Sequence, residues 1–167
     1  MPTSSLPTPS RAYSIDWEPL RRIVASGVED LIAGHWEEVE HDREKIALAP
    51  DWEKAFILER LGCLKVLGLR CDGALVGYNA FSISPHIHSR FALHAINDVL
   101  YVAPEHRGSA GVRLIRTAER KLKELGVVRV VYATKPTAKV GRTGTTTGDI
   151  LAKMGYRLYE EVYSRLL

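Results

Sequence analysis

The chain has 167 residues, 46% of them hydrophobic, and its 23 basic and 20 acidic residues leave a net charge of +3. That length suits one domain with a sizeable core. The mild charge lacks the clustered basic excess of a dedicated nucleic-acid binder and argues against a nucleic-acid partner; no apolar run reaches the ~20 residues needed to cross a membrane.

Met1 to Ser10 is rich in Pro, Ser and Thr and has no apolar h-region, so it reads as a disordered lead-in rather than a secretory signal. Residues 11–167 read as a single domain. Tyr13 to Ile15 suggests a short strand, and a helical region follows from near Asp16 or Trp17. In it Val28, Leu31, Ile32, His35 or Trp36, and Val39 recur at helical spacing, with a break allowed at Gly27 or Gly34. Asp51 is placed to cap a second helix that runs to about Leu61 and stops at Gly62.

Leu64 to Cys71 and Ala74 to Ile83 read as strands joined by a tight turn at Asp72-Gly73. Ser84 to Arg90 reads as a loop and Phe91 to Val102 as a long third strand. Next comes Pro104-Glu105-His106-Arg107-Gly108-Ser109-Ala110-Gly111-Val112, a short loop of small residues that opens a helix. Unpaired N–H groups at a helix start, with their partial positive charge, cradle anions. Leu114, Ile115, Ala118, Leu122 and Leu125 form that helix's apolar stripe, closed by Gly126. Val127 to Ala133 reads as a buried parallel-type strand. A Thr/Gly-rich loop, Lys135 to Gly148, then leads to a short helix, Asp149 to Met154, and one or two final strands over Tyr156 to Leu166. The order implies an α/β (mixed α+β) sheet with helices packed on it.

Cys63 and Cys71 would lie roughly 26 Å apart on one extended strand, too far to bond, and read as reduced thiols of a cytoplasmic protein. Gly141 to Gly148 lacks the Gly-Lys-Ser/Thr ending of a phosphate loop and reads as a flexible loop near a cleft rim.

Val102-x-Pro104-Glu105-x-Arg107-Gly108, followed by small residues and an amphipathic helix, resembles the acyl-CoA-binding motif of the GNAT N-acetyltransferase superfamily, and the helical N-terminal third is similar to its bacterial and phage-encoded branch. Asp72-Gly73-x-Leu75-Val76-Gly77-Tyr78 resembles the family's first hairpin. Ile150-Leu151-Ala152-Lys153-Met154-Gly155-Tyr156 resembles its closing helix and strand.

The resemblance implies a mostly antiparallel sheet with acetyl-CoA, as cosubstrate, between two splayed strands, Phe91–Val102 and Val127–Ala133. The backbone of Leu100, Tyr101 and Val102 would bond the pantetheine arm. Amides of Arg107, Gly108, Ser109, Ala110, Gly111 and Val112 would wrap the pyrophosphate. The acetyl group would pass directly to a primary amine of a small molecule or peptide, and the protein could be a homodimer. Two positions depart from the pattern: Ala110 and Val112 stand at the last two small sites, and Leu151 stands where many members carry a thiolate-protonating tyrosine. Tyr156, Tyr159, Tyr163 and bulk water are the alternatives for that role. An alternative function is therefore a catalytically degenerate CoA-binding or protein-interaction module.

Amine acetylation needs a proton acceptor for the amine and a donor for the thioester oxygen. Asp98, mid-strand and two residues before the expected cofactor contacts, is the candidate base. Burial there would raise its pKa, and period-2 geometry puts His94, Asp98 and Val102 on one face. A bulge at Asp98, or a pair with Arg107, is the non-catalytic alternative. His94 is a partner or second base. His86 and His88 are candidate acceptor contacts; with no third ligand nearby they do not read as a metal site. His35 and Glu38, within the acidic Glu37-Glu38-Val39-Glu40 run, are candidates for the acceptor side. Arg113, Arg116 and Arg120 read as solvated charge, with Arg113 or Arg116 able to reach phosphates.

Overall fold

Among the described residues of this computed structural model, which are 11–136, 139–140 and 144–167, five strands form one sheet in sequence order. They are β1 (Tyr13–Trp17), β2 (Leu64–Cys71), β3 (Ala74–His86), β4 (Ser89–Val102) and β5 (Val127–Tyr132). The first four are antiparallel neighbours, and β5 runs parallel to β4. The lead-in expected over residues 1–10 lies outside the described residues, as does 141–143 of the Thr/Gly loop. The chain divides into two compact units, Met1–Ala133 and Thr134–Leu167.

In the first unit, helices α1 (Leu20–Val24), α2 (Val28–Val39) and α3 (Trp52–Arg60) lie on one face of the sheet, and α4 (Ser109–Glu124) on the other. The first helix starts at Leu20, after Pro19, rather than near Asp16, because residues up to Trp17 are taken into the β1–β2 ladder. Gly27 at φ 74° makes the break between α1 and α2. Asp51 caps α3 by accepting the Lys54 N–H at 2.9 Å. The α4 stripe is buried at Leu114, Ile115, Ala118 and Leu122, while Leu125 is exposed. Leu114, Ala118 and Leu122 pack against Leu67, Leu69 and Phe81 of the sheet, each large side chain contributing about 1.5–3 kcal/mol. On the opposite face Ile23 and Val28 pack with Val66, Tyr78 and Tyr101.

Three expectations change. The loop over Ser84–Arg90 is instead strand on both sides of a tip at Ile87-His88, because Pro85 pairs with Leu93 and His86 with Ser89. The fifth strand is not buried: it has a neighbour on one edge only, and Val128 is 70% exposed. No strand forms over Tyr156 to Leu166; a strand needs a ladder partner, and this segment has none among the described residues. Both cysteines are free.

The feature that positions the site is a bulge in β4. Ala80 pairs with Val99, yet the next residue, Phe81, pairs with Asn97, so Asp98 is an extra residue. The insertion flips the side-chain alternation. Ala95 faces the α4 side, and so does Val102, seven positions later, while Tyr101 faces α2. His94 and Val102 therefore lie on opposite faces, contrary to the period-2 expectation. Asn97 fills the bulge from within: its Nδ2 donates to Asn79 Oδ1 at 2.7 Å, Ala80 O at 3.0 Å and Val99 O at 2.8 Å. Asn79 Nδ2 in turn donates to Tyr132 Oη at 3.2 Å.

The parallel ladder of β4 with β5 runs from Leu93↔Val127 to Asn97↔Tyr132 and stops there. From Asp98 to Val102, β4 continues with no strand partner on that edge among the described residues.

The second unit holds α5 (Thr147–Lys153), opened by a capping box in which Thr146 Oγ1 accepts the Asp149 N–H at 3.1 Å and Asp149 Oδ2 accepts the Thr146 N–H at 2.8 Å. No described helix is long and apolar enough to cross a membrane.

Replacing Asn97 with Leu would leave buried carbonyls at the bulge unpartnered. Urea denaturation is expected to show a loss of about 3 kcal/mol, the penalty of one or two such orphaned groups; a loss under about 0.5 kcal/mol would show that the bulge does not depend on this amide.

Candidate functional site

Beyond the open edge of β4 the chain makes a 3-10 turn at Pro104–His106 and enters α4 through Gly108. Gly108 sits at φ 105° and ψ −125°, a backbone state that a side chain would strain. No side chain caps α4. The first four N–H groups of a helix lack internal partners, which here are those of Gly108, Ser109, Ala110 and Gly111. Val112 lies one residue deeper, where its N–H reaches back to Gly108 O. The Arg107 N–H is also used internally, donating to Pro104 O at 3.3 Å. A Cβ built on Gly108 or Gly111 would meet no atom within 4 Å. Open space thus adjoins four converging donors and a helix's positive end, which suits a diphosphate.

The strand edge leads into this cradle. Successive residues of an antiparallel strand turn their N–H and C=O groups to opposite edges. The Ala103 N–H donates to Val76 O at 2.9 Å, so Tyr101 and Ala103 face β3, whereas Leu100 and Val102 face the open edge. Of the three residues expected to offer main chain to the cofactor, Tyr101 instead contributes its side chain to the α2 layer.

That side chain is part of a cluster joining the expected acceptor side to the cradle. Arg107 Nη2 lies 2.6 and 2.7 Å from the two Glu38 carboxylate oxygens of α2. Its Nε donates to Val102 O at 2.9 Å, and its guanidinium lies 5.4 Å from the Tyr101 ring centroid. Tyr101 Oη donates to Glu38 Oε1 at 3.3 Å, and the His35 ring is 5.3 Å from Tyr101. Gly34 lets α2 come this close, since a Cβ there would sit 2.8 Å from Tyr101 Oη. Burial, then the Glu38 charge, push the Tyr101 phenol up.

Asp98 is exposed, not buried as expected of it in mid-strand. The bulge, not a pair with Arg107, accounts for its place: it is the first residue past the last β4–β5 pair. Its charge reaches Tyr78, whose phenol is pushed well up by burial first and by Asp98 second. His94 does not join Asp98. Its ring lies 5.1 Å from His86, which is 5.5 Å from His88, at the far end of the hairpin. Burial, then Arg129, then His86 hold the His94 imidazole below the ordinary histidine range. Among the described residues no group of three or more His, Cys, Asp or Glu side chains is placed to hold a metal ion.

Of the arginine row, Arg113 lies over the Tyr13 ring at 5.9 Å and Arg120 pairs with Glu124 at 2.9 Å. Leu151 is a buried residue of α5, and Tyr156, Tyr159 and Tyr163 belong to the same second unit. Sequence reading missed Asn97, Asn79 and Tyr132. The available signal was two asparagines inside otherwise apolar strands, where a polar group is costly unless bonded.

The sequence model of the Acetyltransferase (GNAT) family matches residues 15–140. The fold is similar to that of a ribosomal-protein-alanine N-acetyltransferase from Brucella melitensis biovar Abortus 2308, at 22% identity and a TM-score of 0.67, over 93% of this chain and 99% of that one. It is similar to an aminoglycoside acetyltransferase from an uncultured soil metagenomic sample, at 15% identity and 0.65, over 93% and 97%. It is also similar to glucosamine-6-phosphate N-acetyltransferase from Arabidopsis thaliana, at 12% identity and 0.65, over 93% and 98%. No curated protein is significantly similar in sequence.

Because Glu38 and Arg107 are partly exposed, Glu38→Gln is expected to cost no more than about 1 kcal/mol in stability. It should nevertheless free the Arg107 side chain that braces the cradle, read in NMR as shifted amide resonances of Gly108 to Gly111. In an NMR titration His94 is expected to protonate below the ordinary histidine range, and Arg129→Gln should move its midpoint upward, since a positive neighbour disfavours the imidazolium.

Proposed function

The chain belongs to the GNAT acetyltransferase family, and on that premise we propose that it moves the acetyl group of acetyl-CoA directly onto a primary amine. The observation that carries this reading is the β4 edge from Asp98 to Val102, which has no strand partner among the described residues and opens onto the uncapped first turn of α4. The residues fit the cosubstrate: four main-chain amides with open space beside them match a pyrophosphate, and the outward groups of Leu100 with the Val102 N–H match an amide-bearing arm, the Val102 carbonyl being held by Arg107. When bound, acetyl-CoA supplies an activated acetyl thioester. Gly108 to Gly111 bind and orient it, and Arg107, braced by Glu38, fixes the turn between strand and helix.

Asp98 is the proposed proton acceptor. Being exposed, its carboxylate can hold the incoming ammonium by charge and pass its proton to water. Its place beside the last β4–β5 pair sets it at the mouth of the opening. A second reading, a CoA-binding module without turnover, is favoured by Leu151, which has no proton to give at the position where the family resemblance implies a tyrosine.

Calorimetry with acetyl-CoA and thiol release over an amine panel separate the two. The transferase reading expects binding together with amine-dependent thiol release; binding with no release from any amine supports the module. Asp98→Asn is expected to lower kcat/KM at least tenfold while acetyl-CoA affinity stays near that of the parent. Gly108→Ala should weaken acetyl-CoA affinity about tenfold and cost roughly 1–3 kcal/mol through backbone strain.

A further inference from the structure

The four amides of the cradle, Gly108 to Gly111, lie between two residues that touch one ring of β1. On the approach to the cradle, His106 Nδ1 lies 3.0 Å from Tyr13 Oη. The two rings meet edge to face, with centroids 5.9 Å apart and planes at 84°. Past the cradle, the Arg113 guanidinium lies over the same Tyr13 ring, 5.9 Å from its centroid. His106 stands two residues before Gly108, and Arg113 two residues after Gly111. Tyr13 therefore contacts the chain on both sides of the anion-binding turn. Next to it, Arg11 Nη1 donates to Glu105 O at 2.8 Å, a further hold on the 3-10 turn.

Tyr13 is itself fixed. It pairs with Cys71 in the β1–β2 ladder. The residue before it, Ala12, donates its N–H to Asp72 Oδ1 at 3.1 Å and accepts the Asp72 N–H on its carbonyl at 2.9 Å. The turn is thus held to β1 and the Asp72-Gly73 hairpin on this side, separately from the Glu38–Arg107 contact that holds it to α2. With the phenol as donor, Nδ1 is the bare nitrogen of His106, and Nε2 carries the proton 3.8 Å from Glu105 Oε1.

We propose that Tyr13 and His106 are positioning residues for acetyl-CoA, setting the direction in which the amides of Gly108 to Gly111 point. This rests on the reading of that turn as the acetyl-CoA cradle. No side chain caps α4, and Gly108 is a residue of wide conformational freedom. Neither one fixes the angle at which the chain enters the helix, so the flanking contacts do. Donors held in place before the ligand arrives bind it more tightly than donors ordered by it, because the ordering cost then falls on folding rather than on binding.

Calorimetry with acetyl-CoA, at a temperature where each variant is folded, is the test. Tyr13→Phe keeps the ring under Arg113 and loses the hydrogen bond; it is expected to raise Kd about fivefold. His106→Leu should raise it as much. His106→Asn, whose side-chain oxygen can accept from Tyr13 near the place of Nδ1, should recover most of that loss. The double variant Tyr13→Phe/His106→Leu should bind no more weakly than the weaker single variant, since one contact is lost only once. In NMR the amide resonances of Gly108 to Gly111 should move in Tyr13→Phe before any ligand is added. A Kd within about twofold of the parent's for both single variants overturns the proposal and leaves the contact a brace of the fold alone. Losses that simply add in the double variant overturn it as well. Failure of acetyl-CoA to bind the parent protein brings down the reading of the cradle itself, and this proposal with it.

Discussion

The side-chain amide of Asn97 bonds three carbonyl oxygens, two of them on the backbone around the β4 bulge. With only two hydrogens for three acceptors, it shares one of them, and the arrangement is complete only if β3, β4 and the bulge are all in place. Through Asn79 it also reaches Tyr132 at the last pair of the β4–β5 ladder. Everything that makes the site follows from this buried contact. The strands part just beyond it, Asp98 is extruded by it, and the main chain past it is left with an unpaired edge.

The bulge also decides which face each later residue meets. Without the extra residue Tyr101 would point toward α4 and Val102 toward α2. With it, Tyr101 reaches Glu38 and lies under Arg107, while Val102 packs in the α4-side core. The cluster of Glu38, Tyr101 and Arg107 is therefore a second consequence of one inserted residue. It ties the α2 layer to the turn that opens the cradle. Because Arg107 is engaged by a carboxylate, the attraction of the cradle for an anion comes from main-chain amides and the helix end rather than from that guanidinium.

The sheet thus separates two kinds of chemistry. Its α4 side is a dry core with one satisfied polar network, and Tyr132 within it is held protonated by burial. On its α2 side the helices pack over Tyr78 and Tyr101, and Asp98 stands exposed just past the last β4–β5 pair. The proposed acetyl transfer calls for such a division, since a thioester is best kept from bulk water while the amine must arrive from it.

The strand, turn and helix from Leu100 to Glu124 were readable from the sequence alone, because each signal is local: an apolar run, Pro104, Gly108, and a stripe at helical spacing. So were the hairpin at Asp72-Gly73 and the cap at Asp51. The choice of His35 and Glu38 for the acceptor side placed both near the cradle, although their partner, Arg107, lies 69 positions beyond Glu38 and nothing in either segment announces it. The facing of His94, the exposure of Asp98 and the role of Asn97 were decided only in three dimensions. A bulge leaves no mark on the alternation of Ile96-Asn97-Asp98-Val99; it exists because an amide finds acceptors on a strand 17 and 18 residues away. Local sequence sets what a segment can form, and long-range hydrogen bonding selects the register in which it forms.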